Sequence, residues 1–208
     1  MEHVSLITSL NNQINLQVHK LFSKNTLLTR WKNNELEIII ESKNLPYFFA
    51  FLKQHTLSNV QQLIEIAVID QITRKNRFKI NYVVSSVTYN NRFVISTETD
   101  EITIVPSVIN TYDSATWLER EVWDLYGIHF EGNNDLRRIV TDYGFKGHPL
   151  RKDFPLTGFL EVYYNDEEKK IVYEPVEVAQ EYRVFCLQNP WIHSQESDSD
   201  ADFAEEGF

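Results

Sequence analysis

EREVWDLYGIHFEGNNDLRRIVTDYGFKGHPLRKDFPLTG, residues 119–158, holds five of the six glycines in this 208-residue chain, while residues 1–126 hold none. Glycine is needed where backbone must take φ > 0 or pass close to another surface. Here it stands among Trp123, Tyr126, Arg137, Arg138, Tyr143, Phe145, His148, Arg151 and Phe154. Aromatic residues and arginine on an irregular segment are the composition of a protein–protein docking surface.

Working outward, Asp113-Ser114-Ala115-Thr116 starts a helix over 113–127, with Asp113 or Ser114 as cap and Thr116/Glu119 at capping-box spacing. Leu118, Val122 and Leu125 share a face, Arg120 can pair with Asp124, and Gly127 stands where a C′ glycine stops a helix. Glu119, Glu121 and Asp124 could serve acid–base chemistry, but 119 and 121 point to different faces, so a solvated helix face is the better reading. Beyond Gly127 the periodicity vanishes, and Pro149, Pro155 and Pro175 interrupt the chain. Residues 128–193 therefore read as an extended, loop-rich docking segment, and 194–208 as an acidic disordered tail.

Towards the N-terminus, residues 1–112 read as an α+β domain. Ile7, Leu10, Ile14, Val18 and Leu21 predict an amphipathic helix over 4–22. Leu27/Thr29/Trp31 and Leu36/Ile38/Ile40 predict a hairpin turning at Asn33-Asn34. Pro46 opens a short helix ending near Leu52. Strands follow at Leu63–Ile69 (buried-looking), at Phe78/Ile80/Tyr82/Val84 and, after a turn at Asn90-Asn91, at Phe93/Ile95/Thr97, with Ile102/Ile104 adding a short last one. The fold class is α+β: helices on one face of a mixed, largely antiparallel sheet, then one helix and a long extended C-terminal strap.

The net charge of −10 owes more than half to six acidic residues after Arg183, beyond which no Lys or Arg occurs. The basic face required by nucleic acid is lacking. The single Cys186 precludes an internal disulfide, and an iron–sulfur cluster usually takes four thiolates. The six histidines show no zinc-ligand spacing. The run Tyr47–Leu52 is far shorter than the ~20 residues of a membrane span, and no basic targeting region is evident at the N-terminus. Nucleotide-cradling glycine loops and a G-x-S-x-G elbow are missing. His148 beside Arg151 and Asp153 suits either proton handling, as in an independent hydrolase, or a His-Pro turn held by hydrogen bonds.

The block resembles the 30-kilodalton subunit family of respiratory complex I, the NADH:quinone oxidoreductase. The likeness runs through Glu119-Arg120-Glu121, Asp124, Gly127-Ile128 and Phe130, then from Leu136 to Gly158, then Glu174-Pro175-Val176-Glu177 and Gln180–Phe185. Two departures stand out: Gly132-Asn133-Asn134 where relatives have Gly-His-Pro, and Tyr163 where they tend to have arginine. The resemblance implies a peripheral-arm subunit without catalytic residues, bound metal or cofactor, in a complex carrying FMN, iron–sulfur clusters, NADH and quinone. It implies the matrix side of the mitochondrial inner membrane, or the bacterial cytoplasmic membrane. It implies docking chiefly on the 49-kilodalton quinone-cavity subunit and on cluster-bearing subunits. The residues assigned to that interface are Trp123, Tyr126, Arg137, Arg138, Tyr143, Phe145, His148, Arg151, Phe154, Glu174 and Arg183. The same module in a membrane-bound hydrogenase or a photosynthetic NDH complex is the alternative.

Overall fold

The computed structural model describes residues 26–32, 35–177 and 183–185. The helix expected over 4–22, the Asn33-Asn34 turn, Cys186 and the 194–208 tail lie outside the described residues. The chain divides into two compact units, Met1–Phe159 and Leu160–Phe208.

In the first unit, β1 (Thr26–Lys32), β2 (Glu35–Ile40), β3 (Gln62–Asp70), β4 (Phe78–Ser86) and β5 (Asn91–Thr99) form one sheet in the order β1-β2-β5-β4-β3. Every pairing is antiparallel except β2 with β5, the one parallel pair of a mixed sheet. Strict alternation buries Phe78, Ile80, Tyr82 and Val84 on a single face. Helix α1 (Leu45–Gln54) carries Leu45, Phe48, Phe49 and Leu52 at i, i+3, i+4 and i+7 into the same core. Pro46 in its first turn lacks only an N–H that has no partner within a helix there. Phe49 meets Tyr82 at 5.2 Å and Tyr112 at 5.9 Å, both edge-on, so truncating it to alanine would cost about 3–5 kcal/mol.

Three expectations change here. Strand β3 is an edge strand, not a buried one: a bulge at Ile64 breaks its alternation, and Ile64 and Ile69 are exposed. Helix α2 (Ala115–Tyr126) packs against β3, with Ser114 Oγ donating to Leu63 O and Tyr126 OH to Val68 O. That occupies backbone acceptors which an edge would otherwise offer to a stranger. Second, the short strand forms at Val105–Pro106 (β6) and pairs in parallel with Phe130–Glu131 (β7), outside the main sheet. The Asp100 carboxylate accepts from Ile102 N and Thr103 N, turning the chain and leaving Ile102 and Ile104 exposed.

Third, the strap does not run straight. In the second unit β8 (Leu160–Asn165) and β9 (Lys170–Pro175) make an antiparallel hairpin. Asn165 Oδ1 accepts from Glu167 N and Glu168 N, and Lys169 takes φ +51°, which closes the loop without glycine.

Candidate functional site

The last four carbonyls of an α-helix have no partner within it. In α2 each finds one from the segment that follows. Gly127 N donates to Trp123 O (2.9 Å), His148 Nδ1 to Asp124 O (2.9 Å), Leu150 N to Leu125 O (3.1 Å) and Arg151 Nε to Tyr126 O (2.6 Å). His148-Pro149-Leu150-Arg151 is thus a cap for the helix, and the Arg151 charge suits its negative end. Gly127 has φ +77°, and a Cβ there would lie 2.6 Å from both Arg151 Nη2 and His148 Nε2. His148 gives its Nδ1 proton to a backbone carbonyl rather than to a carboxylate, and burial pulls its pKa below the ordinary value. This is the geometry of the hydrogen-bonded turn, not of a hydrolase's oriented base.

The solvated acidic face expected on α2 is only partly there. Glu121 is exposed, but Glu119 and Asp124 are 0% exposed. Asp124 accepts five hydrogen bonds: from Ile139 N, Val140 N, Thr141 N, Thr141 Oγ1 and Arg138 Nη1, at 2.6–3.1 Å. Burial pushes its pKa up, but the bonds from Thr141, Val140 and Arg138 outweigh that and hold it at about 2. Glu119 accepts from Ser107 Oγ (2.7 Å), Val108 N (2.9 Å) and Asn133 Nδ2 (3.0 Å), yet burial raises its pKa. Hence neither the Thr116/Glu119 capping box nor the Arg120–Asp124 pair forms. Glu119 is turned inward, and Arg120 pairs with Asp135 at 2.9 Å while stacking on Trp117. Asn133, one of the departures from the family pattern, thereby acquires a partner in the core.

A second anchor ties the segment to the sheet. Arg77 grips Asp70 with two parallel bonds of 2.8 Å and also reaches Glu101 (2.6 Å) and Asp153 (2.8 Å). Asp70 accepts from Lys152 N as well, at 2.8 Å. The Arg77 bond holds Asp70 and Asp153 below the ordinary carboxylate range, and the same contacts raise Arg77.

The assigned interface residues divide between these supports and the surface they hold up. Tyr126 packs on Phe78, and Trp123 lies between His129 (5.8 Å) and His148 (5.7 Å). Arg138 is committed to Asp124 and Arg151 to the helix cap, whereas Arg137 is exposed beside Asp135. Phe154 meets Phe159 edge-on and Phe145 at a tilt, and presses on Gly147, whose Cβ would lie 2.9 Å from the ring. Tyr143 is 94% exposed; Glu174 accepts from Tyr163 OH, and Arg183 is exposed. Val140, Leu150, Leu156 and Phe159 add apolar area open to solvent.

Sequence reasoning missed Arg77, Asp70, Thr141 and the inward carboxylates. One signal was available: Glu119 stands four residues after Ala115 and three before Val122, on the apolar stripe itself. What results is an irregular surface held rigid from beneath by buried ion pairs and backbone-bonded carboxylates.

The family model for the respiratory-chain NADH dehydrogenase 30 Kd subunit matches residues 38–160, from β2 to the start of β8. The chain is 51% identical over 151 residues to NADH dehydrogenase [ubiquinone] iron-sulfur protein 3 of Oryza sativa subsp. japonica, covering 71% of this chain and 80% of that protein. The protein of the same name from Arabidopsis thaliana matches with the same identity and coverage. A chain in the structure of the membrane-bound sulfane sulfur reductase, an archaeal respiratory membrane complex, shares the fold at TM-score 0.60 and 21% identity, over 70% of this chain and 85% of that one. With a family model running from within β2 through the capped belt, and relatives identical at half their aligned positions, this chain belongs to the 30 Kd subunit family of respiratory-chain NADH dehydrogenase.

Proposed function

We propose that this chain is a structural subunit in the peripheral arm of respiratory complex I, which passes electrons from NADH to quinone and couples the transfer to proton translocation. Its belt, residues 127–159, is the surface that neighbours grip: chiefly the large quinone-cavity subunit, with cluster-bearing subunits beside it. The observation that carries this reading is the contrast within the belt. Asp124, Arg77 and the His148–Arg151 cap immobilise backbone that contains almost no regular structure, and aromatic side chains are displayed on top. Rigid, pre-ordered aromatic and arginine side chains are what strong interfaces use.

FMN, iron–sulfur clusters, NADH and quinone belong to the complex. The relatives' name includes "iron-sulfur protein", but one cysteine cannot supply four thiolates. Among the described residues no group of three or more His, Cys, Asp or Glu is placed to hold a metal ion. The donor set does not fit a cluster ligated by this chain alone, so its contribution is to hold the electron path in place. Among the described residues no helix is long and apolar enough to cross a membrane. Attachment to the matrix face of the mitochondrial inner membrane would then run through partners.

Replacing Arg137 and Arg138 together by alanine tests the scaffold role. It should lower the amount of assembled peripheral arm severalfold, measured on native gels, and leave NADH:quinone turnover per assembled complex near normal. Normal assembly with slow turnover would count against it.

A further inference from the structure

Three carboxylates are buried among the described residues: Asp70, Glu119 and Asp124. Arg77 answers the first and Arg138 the last. Glu119 has no cation against it among the described residues; its donors, Ser107 Oγ, Val108 N and Asn133 Nδ2, are all neutral. Arg120, next to it on α2, turns away to Asp135 and Trp117. On the sheet side Tyr82 feels its charge, and the Tyr82 hydroxyl is buried with no hydrogen-bond partner among the described residues. Tyr112, four residues after Val108, donates to Val60 O. Burial pushes both phenols up, so they stay neutral wherever a carboxylate titrates.

The three donors differ in whether they can reverse. A backbone N–H cannot, so Val108 N holds Oε1 as it is. On Oε2 the Ser107 hydroxyl can turn and accept instead of donating. The Asn133 amide cannot, because its Oδ1 already accepts from Asp135 N at 3.2 Å. A proton on Oε2 would therefore find an acceptor in Ser107, while Asn133 would lose its charge-assisted bond, the stronger kind. Arg120–Asp135 and the packing of Leu136 keep the neighbouring chain attached, so any release is local to the turn at 132–135.

We propose that Glu119 is a proton-operated latch between α2 and the turn at 132–135: as a carboxylate it holds the Asn133 amide, and on taking one proton from solvent onto Oε2 it donates to Ser107 Oγ and releases Asn133. The charged form fixes the start of the belt to the helix, and the neutral form frees it. The latch belongs to this chain alone and does not depend on the subunit reading.

The test follows the Glu119 carboxyl carbon and the Asn133 side-chain amide of the isotope-labelled full chain by NMR from pH 3 to 8. The carboxyl should titrate with a midpoint above the ordinary 4.5. Across that midpoint, exchange of the Asn133 amide with water, corrected for its intrinsic pH dependence, should quicken at least about tenfold on the acid side. Glu119→Gln should show the quick exchange throughout, with no step. Asn133→Ala, which leaves the carboxyl in place and decides the matter even where Glu119→Gln does not fold, should move the midpoint further up, because the anion has lost a donor. A midpoint at or below 4.5, amide exchange indifferent to the titration, a step that survives in Glu119→Gln, or a midpoint unmoved in Asn133→Ala would each overturn the latch.

Discussion

Asp124 and Glu119 are both fully buried carboxylates about one and a half turns apart on α2, yet they respond to pH in opposite senses. Five donors, Arg138 among them, hold Asp124 at about 2, below its ordinary 3.8. The unfolded chain therefore takes up that proton first as pH falls. The stability it contributes is complete above about pH 4 and is lost towards pH 2, about 2 kcal/mol in all. Glu119 is raised by burial, so the folded state protonates first, and its charge weakens the fold as pH rises through its shifted value. Asp124→Asn should destabilise the chain by about 2–4 kcal/mol at pH 7, because Arg138 loses its counter-charge and an amide N–H₂ displaces bonded donors. Glu119→Gln should change stability by no more than about 1 kcal/mol at pH 7, since the carbonyl can still serve Val108 N and no charge remains buried. Urea unfolding of both variants from pH 3 to 8 would check the pair. Equal losses at neutral pH would show that burial, not bonding, sets the value of these carboxylates.

Among the elements, strands declared themselves in the sequence better than what joins them. Phe78/Ile80/Tyr82/Val84 alternates without interruption, and Asn90 supplies the positive φ of its turn at +48°. The bulge at Ile64 and the hairpin after Phe159 were hidden, because a shifted register and an exposed apolar face both blur the inside–outside pattern that reveals strands. The helix stop at Gly127 was legible, but its partners 21–24 residues later were not. No local rule links a helix end to His148 and Arg151. The link makes Gly127 more than a stop. Gly127→Ala adds strain of about 1–2 kcal/mol for a left-handed residue with a Cβ and pushes that Cβ against Arg151 and His148. Because two caps must move, a total loss of about 2–4 kcal/mol is expected, together with faster amide exchange at Leu150 and Thr141 than in the parent. Exchange unchanged at both positions would mean that the cap closes without the glycine.

At the scale of the whole molecule, the described core and the proposed docking belt occupy different stretches of chain. Among the described residues, every member of the buried hydrophobic cluster lies between Leu36 and Phe130. Leu136 packs against it from beyond, but residues 131–159 are fixed to it mainly by polar anchors. That is why the body could be foreseen from apolar periodicity while the belt's support could not: an arginine gripping three carboxylates has no periodic signature. It also separates stability from assembly. The second unit begins at Leu160, and its described residues form a two-stranded hairpin whose side chains are mostly exposed, so this hairpin buries little apolar surface. A chain ending at Phe159 should therefore melt within about 4 °C of the full chain, the shift expected for roughly 1 kcal/mol in a protein of this size. The same truncation should cut incorporation into the respiratory enzyme at least tenfold, because it removes the hairpin and everything that follows. Thermal unfolding followed by circular dichroism, beside native gels of cells expressing the truncated chain, measures both. A melting point lowered by about 10 °C or more would make the second unit part of the fold, and unimpaired incorporation would confine the docking role to the belt.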